Sequence, residues 1–236
     1  MEYLASIDIL QHTSAEYLGL LEDHLEARTI RFKYHRPFTK GGKVPNPKSI
    51  SDGLIILGGS PWGSTDSHSL PTLVEEVELA YYCLNNNIPL IGIGLGGQIV
   101  NLAAGGKSET CPLNFSIAHA TRLKEDAMNG FLPEQYLNVV FMRDYFIPSE
   151  KADILAIDSL TQKPTLVQIN PQTVIFSGHP GFKYAMAEDL VMEFDQISPK
   201  ILQTLNMKRT LLAELDLYLP ALMTGLIKMT GWMDPK

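Results

Sequence analysis

The fold of this chain is indicated most directly by Pro89-Leu90-Ile91-Gly92-Ile93-Gly94-Leu95-Gly96-Gly97-Gln98. The first five residues are typical of a buried strand, and the glycines that follow break it into a tight turn leading to a helix. This is the layout of a nucleophile elbow, which holds its central residue in a strained conformation above the sheet. The central residue here is Gly94, which has no side chain to act as a nucleophile.

This stretch resembles the elbow signature of the class I glutamine amidotransferases, Pro-(Leu/Val)-(Ile/Leu)-Gly-Ile-Cys-Leu-Gly-(His/Gly)-Gln. Residues 90–98 match the signature at every position except Gly94, where the family has its catalytic cysteine. Further segments resemble family motifs in the same order along the chain: Asp52–Pro61, Gly105–Lys107, Asp144–Pro148, Ala152–Ala156 and Phe176–Pro180. Together the matches span roughly residues 4 to 195.

The resemblance implies an α/β fold, a flavodoxin-like three-layer sandwich with a mostly parallel central sheet and a nucleophile-elbow turn. The alternation of predicted strands and helices through the first hundred residues favours the same architecture. We expect residues 1–197 to form the amidotransferase-like domain. Residues 198–236 are expected to form a helical extension packed on that domain.

Hydrophobic patterning predicts strands at residues 3–10, 28–34, 54–57, 88–93, 154–157, 166–169 and 173–176, and helices at residues 73–84 and 182–194. Ser14 is predicted to cap a helix that carries Leu18, Leu21 and Leu25 on one face. Residues 111–146 are predicted to hold short strands and loops that extend or cover the sheet edge. From Ser198 to Trp232 the chain is predicted to be helical, with a break at Pro220.

The chain is acidic, with 236 residues and a formal net charge of −7, which disfavours nucleic acid as a partner. Its most apolar tail segment, Leu217–Trp232, contains Pro220 and Lys228 and is too short to span a bilayer, so we expect no membrane partner. The N-terminus lacks a signal-peptide pattern, and only Cys83 and Cys111 occur. We therefore expect a cytoplasmic protein with no disulfide framework, no metal and no cofactor.

The resemblance implies hydrolysis of the glutamine side-chain amide to glutamate and ammonia for transfer to an acceptor. This chemistry uses a thiolate, a histidine that activates it and a carboxylate that orients the histidine. His179 matches the catalytic histidine, but Gly181 stands where the family has glutamate. Glu188 or Asp189 could replace that carboxylate or could belong to a solvent-facing helix surface. Two departures, at Gly94 and Gly181, favour natural loss of the activity over a laboratory substitution.

For the oxyanion hole, the resemblance implies the backbone amides of Leu95 and of Gly59 or Ser60. Gln98 matches a family position near the substrate, although a glutamine in a first helical turn can equally cap or pack. We do not expect Cys83 or Cys111 to replace the nucleophile, because neither lies in a strand-turn-helix context.

Two other functions fit parts of the sequence. The glycines at 92, 94 and 97 match a dinucleotide-binding fingerprint, but residues 110–124 contain no acidic residue to bind the ribose. The other is a non-catalytic small-molecule-binding or protein-interaction module on the same fold. Our prediction is an amidotransferase-like protein that lacks thioester-forming glutaminase activity. Glutamine or a related small molecule is the expected ligand, and a synthetase chain or a second copy of the chain is the expected partner.

Overall fold

The computed structural model describes residues 3–65, 68–194 and 209–234. One sheet contains nine strands: β1 Ala5–Leu10, β2 Ile30–His35, β3 Leu54–Ile56, β4 Leu90–Ile93, β5 Lys107–Arg122, β6 Gln135–Ile147, β7 Asp153–Asp158, β8 Pro164–Asn170 and β9 Thr173–Phe176. The helices are α1 Leu20–Glu26, α2 Leu73–Asn85, α3 Leu95–Ala103, α4 Tyr184–Glu193 and α5 Arg209–Thr230. The predicted strands are all present, with ends that differ by a few residues.

The strand order is β2-β1-β3-β4-β9-β8-β7-β5-β6. The five strands from β2 to β9 pair in parallel, and the remaining four continue the sheet by antiparallel pairing. Buried side chains of α1, α4 and α5 pack on one face of the sheet, and those of α2 and α3 pack on the other. The predicted three-layer α/β sandwich with a mostly parallel central sheet is confirmed.

Residues 111–146 differ from the prediction of short strands and loops. They belong to one long hairpin, in which β5 has 16 residues and β6 has 13. β5 is only partly buried along most of its length, so it has no continuous apolar run that would mark a strand. β6 covers the carboxyl ends of the parallel strands: the Val139 carbonyl accepts from the His179 amide at 2.8 Å, and the Phe141 carbonyl accepts from Ser60 Oγ at 2.8 Å.

The first helix begins later than predicted. Ser14 does not cap it, because Ser14 Oγ donates to Glu193 at 2.7 Å. α1 instead begins at Leu20, after Gly19 with φ 63° and ψ −128°. Residues 11–19, the β1–α1 loop, therefore connect β1 to the helix without regular structure.

The predicted break at Pro220 is also wrong, since α5 continues through it to Thr230. An interior proline costs a helix about 3 kcal/mol relative to alanine. Burial of the apolar face offsets this cost: Leu215, Leu219, Leu222 and Leu226 are all at most 2 % exposed. The first part of the predicted helical tail, residues 198–208, lies outside the described residues. Within those residues, no helix has the length and apolarity needed to cross a membrane.

Leucine-to-alanine substitutions at two positions of α5 test its packing. Leu222 is 0 % exposed and Leu217 is 81 % exposed. We expect Leu222→Ala to lower the free energy of unfolding by about 2–5 kcal/mol. The control Leu217→Ala is expected to stay within about 0.5 kcal/mol of the unaltered protein. Urea denaturation measures both, and equal losses would contradict this packing.

Candidate functional site

Gly94 retains the backbone geometry of an elbow. It lies between β4 and α3 with φ 57° and ψ −117°, a region that residues with a side chain rarely adopt. Its amide donates to the Phe176 carbonyl of β9 at 2.9 Å. A Cβ atom added at Gly94 would have only the Gly58 Cα within 4 Å, at 3.5 Å. The elbow therefore has local space for a β-carbon, and any cost of placing one comes from the backbone conformation.

The space beside Gly94 is nevertheless small. Gly94 and His179 line the same cavity, together with Glu16, Gly58, Phe141, Ser177, Phe182 and Met186 among others. The cavity measures about 10 Å³, which is close to the minimum that holds one water molecule. A glutamine side chain does not fit in this conformation.

Both ring nitrogens of His179 are engaged in hydrogen bonds to the backbone. Nδ1 accepts from the Gly181 amide at 3.1 Å, so the proton is on Nε2, which donates to the Tyr17 carbonyl at 2.7 Å. Burial lowers the pKa of His179 to about 4. The imidazole is therefore neutral at physiological pH, and both of its nitrogens bond to backbone groups and not to a carboxylate.

Gly181 is tightly packed, unlike Gly94. A Cβ atom added there would lie 2.8 Å from Leu21 Cγ and 3.0 Å from the Leu21 amide nitrogen. The Gly181 carbonyl accepts from the Leu20 amide at 2.8 Å, at the beginning of α1. The start of α1 thus occupies the space that a larger residue at position 181 would need.

Glu188 and Asp189, the candidates for the missing carboxylate, lie on an exposed face of α4. Neither of them lines the cavity with His179.

Glu16 is a carboxyl group at the site that the motif analysis did not identify. It is 6 % exposed and lines the cavity, and its Oε2 accepts from the Ser60 amide at 2.7 Å. Burial raises the pKa of Glu16 to about 8, while the hydrogen bond from Ser60 acts in the opposite direction. No motif marks Glu16, because its place in the site is set by the irregular β1–α1 loop.

His12, from the same loop, contacts the turn after β3 that contains Gly58 and Gly59. Its Nδ1 lies 2.9 Å from the Gly58 carbonyl and its Nε2 lies 2.8 Å from Glu76 Oε2. A carbonyl oxygen and a carboxylate oxygen thus face the two ring nitrogens, an arrangement that favours the protonated imidazole. Burial acts to lower the pKa of His12, but Glu76 and the Gly58 carbonyl raise it above its ordinary value. Thr72 completes the network by donating to Glu76 at 2.6 Å.

The expected oxyanion donors differ in availability. Leu95 is the first residue of α3, so its amide has no acceptor within the helix. The Ser60 amide is already bonded to Glu16, which leaves Gly59 as the candidate from that turn. Gln98 is 1 % exposed, donates to the Asp144 carbonyl at 2.6 Å and accepts from Ser108 Oγ at 2.9 Å. These bonds tie α3 to β5 and β6.

The cysteines lie away from the cavity. Cys83 is buried in α2, and burial raises the pKa of its thiol to about 12. Cys111 is partly exposed on β5, and burial raises its pKa as well. Both shifts disfavour a reactive thiolate. Within the described part of the chain, no group of three or more His, Cys, Asp or Glu side chains is arranged to hold a metal ion.

Two solved glutamine amidotransferase structures have the same architecture. A glutamine amidotransferase from Methylobacillus flagellatus matches with a TM-score of 0.78 and 18 % identity over 95 % of this chain and 94 % of its own. One from Thermotoga maritima matches with a TM-score of 0.75 and 20 % identity over 97 % and 99 %. The chain has a class I glutamine amidotransferase-like fold. No protein-family model and no curated protein matches it.

Alanine substitutions at three glycines distinguish lack of space from backbone strain. Gly94 and Gly41 both have positive φ, and an added Cβ meets nothing closer than 3.5 Å at either position. We expect Gly94→Ala and Gly41→Ala each to destabilise the protein through backbone strain, by about 1–3 kcal/mol, with little shift of the amide resonances of neighbouring segments. Gly181→Ala, where the cost comes from overlap with Leu21, should lose about 1–3 kcal/mol and shift the α1 amide resonances. Denaturation and NMR measure these effects. Large shifts of the Gly58 and Gly59 amide resonances in Gly94→Ala would contradict the presence of space for a β-carbon at the elbow.

The raised pKa of Glu16 predicts a pH-dependent stability. Between pH 4.5 and about 8 the folded protein keeps a proton on Glu16 that the unfolded chain releases, so this group makes the folded state less stable as pH rises. Glu16→Gln removes this titration. Its unfolding free energy relative to the unaltered protein should therefore rise from pH 5 to 8, by at most about 1.4 kcal/mol per pH unit. A difference independent of pH would show that Glu16 has an ordinary pKa.

Proposed function

We propose that this chain is an amidotransferase-like protein that does not hydrolyse glutamine through a thioester. The observation that carries the proposal is the combination of an elbow without a nucleophile at Gly94 and a histidine, His179, whose two nitrogens both bond to the backbone. Covalent amide hydrolysis requires a nucleophile and a base that can exchange protons with it. Gly94 has no side chain to act as the nucleophile. His179 is not well placed to act as the base, because both of its nitrogens are bonded to the backbone.

The packing around the site supports the same proposal. The β1–α1 loop contributes Glu16 to the Ser60 amide and the Tyr17 carbonyl to His179, while β6 covers the strand ends. These contacts leave the cavity of about 10 Å³. Binding of glutamine would require the loop or β6 to move and the Glu16–Ser60 hydrogen bond to be displaced.

A small closed cavity favours a protein-interaction role over binding of a small molecule in the elbow. Ligand pockets usually have volumes of about 300–1,000 Å³, far larger than this space. We therefore propose that the chain acts through its outer surface, with a synthetase chain or a second copy of itself as a candidate partner. Dinucleotide binding would require space for a pyrophosphate at the start of α3. The same packing fills that space.

Ammonia release from glutamine tests the proposal. We expect no release above background from the unaltered protein. We also expect none from Gly94→Cys, because a neutral His179 with a lowered pKa is a weak base for a thiol and the cavity excludes the substrate. Circular dichroism should first show that Gly94→Cys is folded. An active glutamine amidotransferase serves as the positive control.

Two results would contradict this prediction in different ways. Turnover by the unaltered chain would show that thioester formation is not needed. Turnover by Gly94→Cys alone would show that the rest of the site is competent and that the β1–α1 loop opens readily.

A further inference from the structure

The segment that forms β2 and the loop after it has a charge opposite to that of the whole chain. Seven of the 19 lysines and arginines lie between residues 28 and 48, and none of the 26 aspartates and glutamates lies between residues 27 and 51. Since the net charge of the chain is −7, the rest of the chain is strongly acidic. The exposed cations of this segment, the basic edge, are Arg31, Lys33, Arg36, Lys40, Lys43 and Lys48.

None of these six cations forms an ion pair with another described residue. The ion pairs within the described ranges involve other residues, such as Lys124 with Asp153 and Lys163 with Glu109. Arg36 instead donates to Gln11 and lies over the Tyr34 ring. The positive charge of the basic edge is therefore available to an external anion.

β2 is also an edge strand whose outer side pairs with no other strand in the described part of the sheet. The Gln11 amide of the neighbouring segment donates to the His35 carbonyl at 2.9 Å, so the backbone groups of Arg31, Lys33 and His35 face β1. Because backbone direction alternates along a strand, those of Phe32 and Tyr34 face away from the sheet. These outward groups can accept an additional strand.

Residues of β2 also line a groove at the surface. It has a volume of about 600 Å³ and is lined by Lys33 and His35 of β2, by loop residues 43–47 and 49, and by Glu75 and Glu78 of α2. An extended segment along β2 would place every second side chain on the face of the sheet that carries Arg31 and Lys33. Acidic side chains at alternate positions complement that spacing.

We propose that the basic edge is a docking surface for an acidic, extended segment of a partner protein, which adds to the sheet as a strand beside β2. Backbone hydrogen bonds to β2 give the affinity in this mode of recognition, and the charges select the partner. Positive side chains on β2 also oppose pairing with β2 of a second copy. This inference does not require the loss of glutaminase chemistry, because the surface is distinct from the cavity at Gly94.

A labelled nine-residue peptide that alternates glutamate and valine tests the proposal by fluorescence anisotropy. A matched peptide with two valines replaced by proline keeps the charge but cannot pair as a strand. We expect Arg31→Glu combined with Lys33→Glu to weaken binding of the first peptide by about tenfold or more. The control, Lys107→Glu combined with Lys151→Glu, makes the same charge change at other exposed lysines and should change binding less than twofold.

Hydrogen exchange identifies the mode of binding. The peptide should slow exchange at the Phe32 and Tyr34 amides, and binding should weaken as salt increases. Equal binding of the proline peptide, or no protection at these amides, would overturn strand addition and indicate a general polyanion surface. Dimerisation of the free protein through β2, detected by sedimentation together with protection of the same amides, would assign the edge to a second copy and also overturn the proposal. The ammonia-release assay tests the proposed function and the peptide-binding assay tests the docking surface, so failure of one proposal does not decide the other.

Discussion

The close approach of Gly181 to the backbone at the start of α1 is the contact on which the candidate site depends. A Cβ atom on Gly19 would lie 2.1 Å from the Gly181 carbonyl oxygen, so both glycines are needed for the two segments to meet. This contact places the end of the β1–α1 loop against β9 and the segment after it. As a result, the Tyr17 carbonyl reaches His179 and the Gly181 amide reaches the other ring nitrogen. The proton position on His179 is thus fixed by packing between two backbone segments.

The two departures from the amidotransferase pattern have different structural effects. At Gly94 the elbow keeps its backbone conformation, and only the side chain is missing. At Gly181 the missing carboxylate is accompanied by close packing of α1, which a larger residue would have to displace. A cysteine at position 94 would therefore strain only its own backbone. A glutamate at position 181 would require the start of α1 to move. Glu16 adds a third obstacle, because it occupies the Ser60 amide and places a buried carboxyl group in the cavity.

The regular part of the fold follows from the sequence because β3, β4 and β9 are short apolar runs bounded by turn residues. The juxtaposition of Gly94 and His179 follows from the elbow and the strand that ends before His179, since parallel strands end at the same edge of a sheet. Glu16, Tyr17 and His12 could not be predicted in this way. They act from a loop whose path depends on distant contacts, such as Ser14 with Glu193. Likewise, α5 passes through Pro220 because tertiary burial outweighs local propensity.

The ¹⁵N chemical shifts of the His179 ring test the central claim most directly, since they report the charge and tautomer of the imidazole. Burial and the bonds to Tyr17 and Gly181 predict a neutral ring protonated on Nε2, unchanged between pH 5.5 and 8 and unaffected by glutamine. A ring that titrates near its ordinary pKa of 6.5, or whose shifts move when glutamine is added, would contradict a closed site with a histidine held by the backbone.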